Sequence, residues 1–513
     1  MASRTARSEL WSPRMEEILG LDKRALDRAR MSRDARFDGK FFIAITSTGI
    51  YCRPICPSPH ARRRHVRYYP SAAAAAAAGF RPCLRCRPEA APGTPAWLGT
   101  SAVVRRALRL IDDGFLDNNS VDELAERLGI GPRHLHRLFL RHVGAPPVAV
   151  GQTRRLHFAK RLINETQLPI THIAFAAGFK SIRRFNSAFQ HTFRRAPRDL
   201  RRQFTEIARN EDEVVLRLAF RPPYDWPQVR DFLAKRAVPG VELLDERGYM
   251  RSVSIGKSHA VITVRPLESE DALELRVRGA VPGALLQISS TARRTFDVGS
   301  DPVLIATAFQ SDPLLAPLVR QHPGLRIAGV WDAFECAVRA VLGQQVSVAV
   351  GRTFAARLVA RAGRSISTAI PELTHLFPTA AQLANANLEG LGLTGDRVRA
   401  LRCLAEAVAS GKVDFEGSTD LVFAALAELR GIGEWTAQYV ALRALEEPDA
   451  FPASDLVLRR MAAGRGAPVS VSELQATADA WRPWRGYAAM HLWRAAVDRH
   501  VNANSYTSRS PQA

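Results

Sequence analysis

Four of the six cysteines crowd into one short segment of the chain. They follow the pattern Cys-x3-Cys, twenty-six residues, then Cys-x2-Cys, and are Cys52, Cys56, Cys83 and Cys86. Four thiols in two close pairs suit a tetrahedral zinc ion. Sites with this spacing are most often structural, and on spacing alone a structural zinc site is the first interpretation.

A zinc ion held by four thiolates also offers chemistry. The group is net negative, and its sulfurs stay deprotonated and electron-rich at neutral pH. A thiolate at the edge of the site could attack an alkyl group and become a neutral thioether. One negative charge would be lost, and repulsion from DNA phosphates would fall with it. The spacing leaves the structural and the reactive interpretations open.

The C-terminal half holds a second candidate centre. In "LAELRGIGEWTAQYVALRAL", Gly431 and Gly433 allow a tight turn between two helices. The N–H groups that begin the second helix can bind a phosphate, although a lone G-x-G also occurs in ordinary helix–helix turns. Asp455 follows about twenty residues later, in "FPASDLVLRR". A carboxylate there can stabilise positive charge on a sugar whose N-glycosidic bond is breaking, and it can also cap a helix.

The composition of the chain indicates which class of partner it binds. The chain has 513 residues, enough for three or more domains, and 72 Lys and Arg against 50 Asp and Glu give a net charge of +22. This favours nucleic acid as a partner, although a basic surface can also serve solubility. No apolar run reaches the length of a membrane span, and the N-terminus lacks a signal-peptide core, so we expect a cytoplasmic protein without membrane contact. We also expect a monomer. Cys336 and Cys403 lie in apolar helical patterns and are expected in the core.

The elements that must position these groups follow from periodicity. The alanines at 72–78 predict a helix ending at Gly79, and "EAAPGTPAW" at 89–97 predicts a linker. Residues 98–205 predict two helix-turn-helix units, the first opened by a Ser120–Glu123 capping box. Strand-like segments occupy 214 to about 300, helices occupy 301 to about 502, and the tail from 502 is expected to be disordered.

The second helix of each helix-turn-helix unit carries basic residues on its outer face, which favours DNA reading. The residues expected to contact DNA there are Arg133, His134, Ser181, Arg183 and Arg184.

The front of the chain resembles the Ada family of adaptive-response proteins. The segments "DGKFFIAITSTGIYCRPIC" and "AAGFRPCLRC" carry the resemblance over roughly residues 15 to 90. The tandem helix-turn-helix resembles the AraC-type domain found beside it in that family. The resemblance implies zinc bound by all four cysteines and Cys52 as acceptor of a methyl group from a DNA methylphosphotriester. It implies further that the methylated form binds promoter DNA and activates transcription, with RNA polymerase as a partner. The Pro-Cys-His-Arg motif of Ada's O6-methylguanine transferase is missing, so no such repair is expected.

The back half resembles the AlkA family, 3-methyladenine DNA glycosylase II. "RPPYDW", "WDAFECAVRAVLGQQVSV", "GIGEWTAQYVALR" and "WRPWRGYAAMHLW" carry the resemblance over nearly all of 214–500. It implies Asp455 as the catalytic carboxylate and Gly431, Gly433, Thr436 and Gln345 as DNA contacts. The base pocket it implies consists of Trp435, Tyr439, Phe232 and Trp493. Such aromatic rings would stack on a cationic alkylated purine flipped out of the duplex.

This sequence departs from the AlkA pattern and its relatives in two ways. Gln345 stands where the family can place a leucine wedge, which leaves the wedge residue open. Trp435 stands where related lyases carry a lysine, so we expect a glycosylase with no lyase step. Cys336 and Cys403 are too few for an iron–sulfur cluster in this half.

The predicted fold class is multidomain and mainly α. The predicted domains are an α+β zinc domain at 1–92, the tandem helix-turn-helix at 98–205, a small α/β domain at 214–300 and a helix-hairpin-helix glycosylase domain at 301–503. The predicted function is an alkylation-damage response protein that accepts methyl groups, activates transcription on double-stranded DNA and excises alkylated bases. Two alternatives remain. The chain could be a regulator with an inactive glycosylase-like domain, or it could be a glycosylase whose front half only binds DNA through a zinc-stabilised domain that carries Arg53, Arg62, Arg63 and Arg64.

Overall fold

The computed structural model describes residues 22–92, 102–201, 213–256, 258–279, 282–464 and 466–507. The chain forms two compact units. The first comprises Met1–Arg221, Val253–Arg293 and Glu416–Ser418, and the second comprises Pro222–Ser252, Arg294–Phe415 and Thr419–Ala513.

The first unit begins with a small α+β module. Its elements are α1 (Lys23–Met31), β1 (Phe42–Ile45), β2 (Ile50–Cys52), β3 (Val66–Tyr69), α2 (Ala72–Ala77) and β4 (Arg81–Pro82). The strands form one sheet in the order β3-β1-β2-β4, in which β2 and β4 run parallel and the other pairs antiparallel. The alanine run is helical as predicted, and Gly79 follows it with a φ of +88°.

The expected linker is in part a packed segment. Pro88–Ala90 forms a 3-10 turn, and Glu89 is buried against the ammonium of Lys160. The prediction of a linker beginning at residue 89 was therefore wrong, because the pattern of prolines and glycine could not reveal this long-range ion pair. Residues 93–97 lie outside the described ranges.

The next part of the first unit is helical, as predicted. Its helices are α3 (Ala102–Asp112), α4 (Phe115–Asn118), α5 (Val121–Arg127), α6 (Pro132–His142), α7 (Pro147–Glu165), α8 (Ile170–Ala176) and α9 (Ile182–Phe193). The Ser120–Glu123 capping box is confirmed at the start of α5. Apolar faces of α5 and α6 meet through Leu124, Leu135 and Phe139, which turns their polar faces outward.

The strands predicted between 214 and 300 are confirmed as β5 (Glu213–Ala219), β7 (Gly248–Ile255), β8 (Ser258–Pro266) and β9 (Ala272–Arg278). In the first unit, β9 lies between β5 and β8 and pairs antiparallel with both. In the second unit, β6 (Glu242–Asp245) forms an antiparallel hairpin with β7. The sequence did not predict β6 or α10 (Trp226–Arg236). Asp225 caps the start of α10, where its side chain accepts a hydrogen bond from the N–H of Gln228 at 3.0 Å.

The remaining elements are mainly helices. They are α11 (Leu285–Thr295), α12 (Pro302–Phe309), α13 (Leu315–Gln321), α14 (Ala333–Leu342), α15 (Val348–Ala362), β10 (Arg364–Ser365), β11 (His375–Leu376), α16 (Ala380–Ala384), α17 (Gly395–Ala409), α18 (Thr419–Ala427), α19 (Glu434–Arg443), α20 (Leu456–Ala463), α21 (Val471–Ala478) and α22 (Arg485–Thr507). Helices thus begin before residue 301. The disorder expected from residue 502 was wrong as far as Thr507, where α22 ends, and 508–513 lie outside the described ranges.

Candidate functional site

Parallel pairing of β2 and β4 brings the four cysteines together. Tyr51 lies opposite Pro82 in this pairing, so Cys52 and Cys83 leave the two strands side by side. Cys56 and Cys86 then return in the turns that follow. All four sulfurs lie within 4.8 Å of one another. Tetrahedral zinc with bonds of about 2.3 Å would separate them by about 3.8 Å, so the donor set and its compactness fit zinc.

The four sulfurs differ in exposure and in their hydrogen bonds. Cys56, Cys83 and Cys86 are buried, whereas Cys52 is half-buried. The backbone N–H of Arg53 donates to the Cys86 sulfur at 3.3 Å, which stabilises negative charge on that sulfur and makes it a poorer nucleophile. Cys52 is thus the cysteine of the cluster most accessible to an incoming alkyl group.

One arginine, Arg53, contacts the cysteine cluster. Arg53 is largely buried and donates from Nε to Asp38 at 2.8 Å and from Nη1 to the Cys86 carbonyl at 3.1 Å. Arg62, Arg63 and Arg64 are exposed, and Arg63 also pairs with Asp27. Arg53 therefore has a structural role in holding the cysteine loop, whereas the other three remain at the surface where a phosphate could reach them.

A polar contact fixes the strand that leads to Cys52. The hydroxyl of Tyr51, which is fully buried, lies 2.9 Å from Nε2 of His157 on α7. Desolvation lowers the pKa of His157 to about 4, so this ring is neutral at physiological pH. Together with the buried Glu89–Lys160 pair, this contact joins the cysteine module to the helix between the two helix-turn-helix units.

The helix-turn-helix residues lie at the starts of α6 and α9. Arg133, His134, Arg183 and Arg184 are exposed, so positive charge faces solvent on both helices. Ser181 is instead the N-cap of α9, where its hydroxyl accepts from the N–H of Arg184 at 3.5 Å. The contact of these four exposed side chains with DNA stays a prediction.

The glycine hairpin between α18 and α19 depends on Gly431 more than on Gly433. Gly431 has a φ of +86°, and a Cβ there would lie 2.6 Å from the Cβ of Ala400. Gly433 has an extended φ of −87°, caps α19 and has open space around it. The expectation that both glycines make the tight turn is thus correct only for Gly431. Gly433 serves instead to keep the exposed start of α19 clear of a side chain.

The two predicted DNA contacts Thr436 and Gln345 differ in their exposure to solvent. Thr436 is buried, and its hydroxyl accepts from the Gln344 amide at 3.1 Å, so its side chain cannot reach DNA as predicted. Gln344 also donates to the Gly431 carbonyl at 3.0 Å and thereby holds its loop against the hairpin. Gln345 is exposed in that loop with a φ of +55°, in a position to meet DNA.

Asp455 lies in a network of four hydrogen bonds. Its Oδ1 accepts from the N–H groups of Val457 and Leu458 at 2.9 and 3.0 Å, which caps α20. The same oxygen accepts from the Trp493 indole at 3.2 Å, and Oδ2 accepts from the Trp435 indole at 2.9 Å. The half-buried carboxylate of Asp455 therefore both caps α20 and contacts two of the aromatic residues.

The aromatic residues line a cavity of about 510 Å³ together with Asp455. The rings of Trp435 and Tyr439 stack with centroids 5.2 Å apart and an interplanar angle of 14°. Phe232 also lines this cavity, and the guanidinium groups of Arg236 and Arg443 lie 3.9 and 4.1 Å from the centroid of its ring.

Sequence reasoning missed the arginines of this cavity. Arg251 and Arg339 form a largely buried ion network with Glu335 and Glu242, and Arg251, Arg339 and Glu242 line the cavity. The signal for Arg443 was present: it lies four residues after Tyr439 and eight after Trp435, which is one face of a helix. The network's charges come from three elements, β6, β7 and α14, and only Glu335 and Arg339, four residues apart on α14, have a spacing in the sequence that indicates a pair.

Four family models match the chain. The metal binding domain of Ada matches residues 25–89, a helix-turn-helix domain 124–203, the AlkA N-terminal domain 215–332, and the HhH-GPD superfamily of base excision DNA repair proteins 338–485. A Mycobacterium tuberculosis protein named "Probable bifunctional transcriptional activator/DNA repair enzyme AlkA" is 40% identical over 91% of this chain and 95% of its own length. The chain belongs to this bifunctional AlkA family. Both suspected resemblances are thereby confirmed.

Relatives of each half agree with this bifunctional AlkA architecture. The Escherichia coli DNA-3-methyladenine glycosylase 2 is 34% identical over 54% of this chain and 95% of its own length. The Escherichia coli "Bifunctional transcriptional activator/DNA repair enzyme Ada" is 40% identical over 26% of this chain and 35% of its own length. Zinc is the cofactor of the cysteine module, and DNA is the partner of this family. Within the described ranges, no helix combines the length and apolar character needed to cross a membrane.

Proposed function

We propose that the chain is an alkylation-damage response protein with two activities. Its back half hydrolyses the N-glycosidic bond of alkylated bases without a lyase step. Its front half accepts methyl groups from DNA methylphosphotriesters and then activates transcription. The observation that carries the proposal is the Asp455 carboxylate, held by two indoles on the wall of an aromatic cavity.

The glycosylase step follows from this arrangement. A flipped base stacks beside Trp435 and Tyr439, and Asp455 faces the sugar. The C1′–N bond breaks, and its electron pair leaves with the base. Asp455 stabilises the positive charge that develops on the sugar and accepts a proton from the water whose oxygen bonds to C1′. Trp435 occupies the position of a lyase lysine and has no amine to form a Schiff base, which supports a hydrolytic reaction only.

The test of this half is Asp455→Asn. An amide oxygen can still accept the capping bonds of α20, so we expect the fold and the DNA affinity to be kept. Release of 3-methyladenine should fall by at least about 100-fold, since the charge is lost. Asp301→Asn is the matched control, because Asp301 caps α12 in the same way and is expected to leave excision unchanged. Excision at the wild-type rate in Asp455→Asn would disprove the catalytic role.

The methyl transfer follows from the exposure of Cys52. Its sulfur attacks the methyl carbon of the phosphotriester, a sulfur–carbon bond forms and the carbon–oxygen bond breaks. The electron pair stays on the phosphate oxygen, which becomes an ordinary diester anion. Bound zinc would keep the four sulfurs deprotonated and close together. The product is a thioether at Cys52, and the site becomes less negative toward DNA.

Cys52→Ala tests this half. DNA carrying labelled methylphosphotriesters should transfer label to the wild-type protein and to Cys403→Ala, a half-buried cysteine of the second unit. It should transfer none to Cys52→Ala. Mass spectrometry of peptides locates the added methyl group. Label at Cys56, Cys83 or Cys86 in the wild-type protein would overturn the assignment to Cys52.

We infer further that RNA polymerase is the partner of the activator half and that the chain works in the cytoplasm as a monomer. The helix-turn-helix match supports the first inference, because a promoter-bound activator acts on the polymerase. The proposed division into domains at 1–92, 98–205, 214–300 and 301–503 is supported by the order of the four family matches.

A further inference from the structure

A buried guanidinium without a carboxylate lies in the wall of the base cavity. Arg443 is 3% exposed and lines the cavity. Its Nη1 donates to the carbonyl of Ala328 at 2.6 Å, whereas its Nε is buried without a hydrogen-bond partner. No carboxylate of the described ranges pairs with it. Burial lowers the pKa of Arg443 to about 10, which still leaves the group charged at neutral pH.

Two neighbouring arginines of the cavity wall differ from Arg443 in this respect. Arg251 and Arg339 line the same cavity, and both pair with Glu335 and Glu242. A buried charge is normally compensated in this way, because taking an ion out of water is costly. Within the described part of the chain, Arg443 has aromatic rings and one carbonyl as neighbours but no carboxylate, and such a charge in a binding cavity is a candidate for a functional group whose partner is the ligand.

The position of Arg443 tells which part of a ligand it meets. Trp435, Tyr439 and Arg443 follow one another on one face of α19, two turns or about 12 Å from first to last. Asp455 accepts from the indole of Trp435 at the start of this face and from the indole of Trp493 on α22. The guanidinium of Arg443 lies 5.6 Å from the Tyr439 ring centroid and 5.8 Å from that of Trp493. A base whose sugar faces Asp455 therefore turns its far edge toward Arg443.

Chemistry at that edge differs between lesions. A cationic base leaves as a neutral molecule when the C1′–N bond breaks, because it takes the electron pair. A neutral base leaves as an anion, and in hypoxanthine the charge spreads onto the carbonyl oxygen of the far edge. A fixed guanidinium stabilises such charge strongly in a site that excludes water.

We propose that Arg443 stabilises the departing base by donating to a carbonyl on its far edge, and that it thereby sets how fast neutral, carbonyl-bearing bases are released relative to cationic ones. This rests on the proposed glycosylase function. In this step the electron pair of the C1′–N bond passes to the base, water supplies the oxygen at C1′, and its proton passes through Asp455 to the base anion or to solvent. Arg443 gives up no proton.

Three damaged bases distinguish the effect of the charge of the base from the effect of its carbonyl group. Hypoxanthine is neutral and has the carbonyl, 7-methylguanine is cationic and has the carbonyl, and 3-methyladenine is cationic and has an amino group instead. We measure their single-turnover release from duplex DNA by the wild-type chain and by Arg443→Gln, whose amide can still bond to the Ala328 carbonyl. Release of hypoxanthine should fall by about 100-fold or more. Release of 7-methylguanine should fall less, and that of 3-methyladenine by less than about threefold.

Arg443→Lys and Arg352→Gln complete the experiment. Arg443→Lys keeps a charge and should recover part of the hypoxanthine rate relative to Arg443→Gln. Arg352 is exposed at the cavity and donates to the Ala237 carbonyl at 2.7 Å, so Arg352→Gln should change all three rates by one factor. Equal losses for the three bases in Arg443→Gln would overturn the inference and indicate a structural role. So would a wild-type chain that releases 3-methyladenine but no hypoxanthine. If the wild-type chain releases no alkylated base, the proposed function itself fails.

Discussion

At the scale of single residues, the two oxygens of Asp455 have unequal support. Oδ1 accepts from two backbone N–H groups and from Trp493, whereas Oδ2 accepts from Trp435 alone. The orientation of the carboxylate therefore depends more on the indole of Trp435 than on that of Trp493. The two tryptophans, which look equivalent as cavity walls, are therefore expected to differ in function.

This asymmetry makes a prediction for Trp435→Phe and Trp493→Phe. Each variant keeps an aromatic ring and removes one N–H donor. Loss of a hydrogen bond to a charged group is worth about 1.5–3 kcal/mol, so Trp435→Phe should slow 3-methyladenine release by about 10- to 100-fold. Trp493→Phe should have a smaller effect, because the backbone bonds to Oδ1 remain. Single-turnover rates at saturating enzyme measure both, and the reverse order would contradict this view of Asp455.

The sequence predicted the capping role of Asp455 correctly, because a helix cap is a local feature. It predicted less well where side chains from separate elements meet. Phe232 lines the cavity, but the sequence did not indicate that Arg236 of the same helix and Arg443 of α19 both lie over its ring. Thr436 was expected on DNA, but Gln344 from another loop engages its hydroxyl. Pairings of this kind depend on tertiary contacts that periodicity does not encode.

At the scale of elements, too, local features were predicted better than contacts between distant segments. Helices with strong signals, such as α5 with its capping box and α6 with an apolar face, follow from local sequence. The parallel pairing of β2 with β4 joins segments about thirty residues apart, and only the cysteines hinted at it. The short strand β6 has no alternating pattern long enough to stand out, and its pairing with β7 decides its conformation.

The two glycines of the hairpin allow a prediction at this scale. Gly431→Ala would meet Ala400 and adopt a strained φ, so the free energy of unfolding should fall by about 2 kcal/mol or more. Gly433→Ala has space and an ordinary φ, so its stability should change by less than about 0.5 kcal/mol. Its new methyl group lies at the exposed start of α19, where it should keep a DNA phosphate away from the N–H groups.

Denaturant unfolding and binding to a duplex with an abasic analogue, at one fixed salt concentration, measure the two effects. Gly411→Ala is the control: Gly411 also has a positive φ of +77° but lies in open space after α17. It should lose some stability and no DNA affinity. A Gly433→Ala variant that binds DNA as tightly as the wild-type chain would show that the hairpin does not contact the backbone at this point.

At the scale of the whole molecule, the two proposed activities belong to two compact units. The cysteine cluster and both helix-turn-helix pairs lie in the first unit, and Asp455 with its aromatic cavity lies in the second. Each unit has its own buried core, and the cysteine cluster is the only group of metal-binding side chains in the described ranges. Zinc is therefore expected to matter for one activity and not for the other.

Removal of zinc tests this separation. A chelator under reducing conditions should abolish methyl transfer to Cys52, because four thiols without the ion are neither held together nor kept deprotonated. Release of 3-methyladenine should stay within about twofold of that of the untreated chain, since no metal-binding group of the described ranges lies in the Asp455 cavity. Restored zinc should restore transfer, with Cys52→Ala as the control that zinc cannot rescue. Parallel loss of both activities on chelation would show that the second unit depends on the folded first unit, and the two activities could not then be regarded as separable.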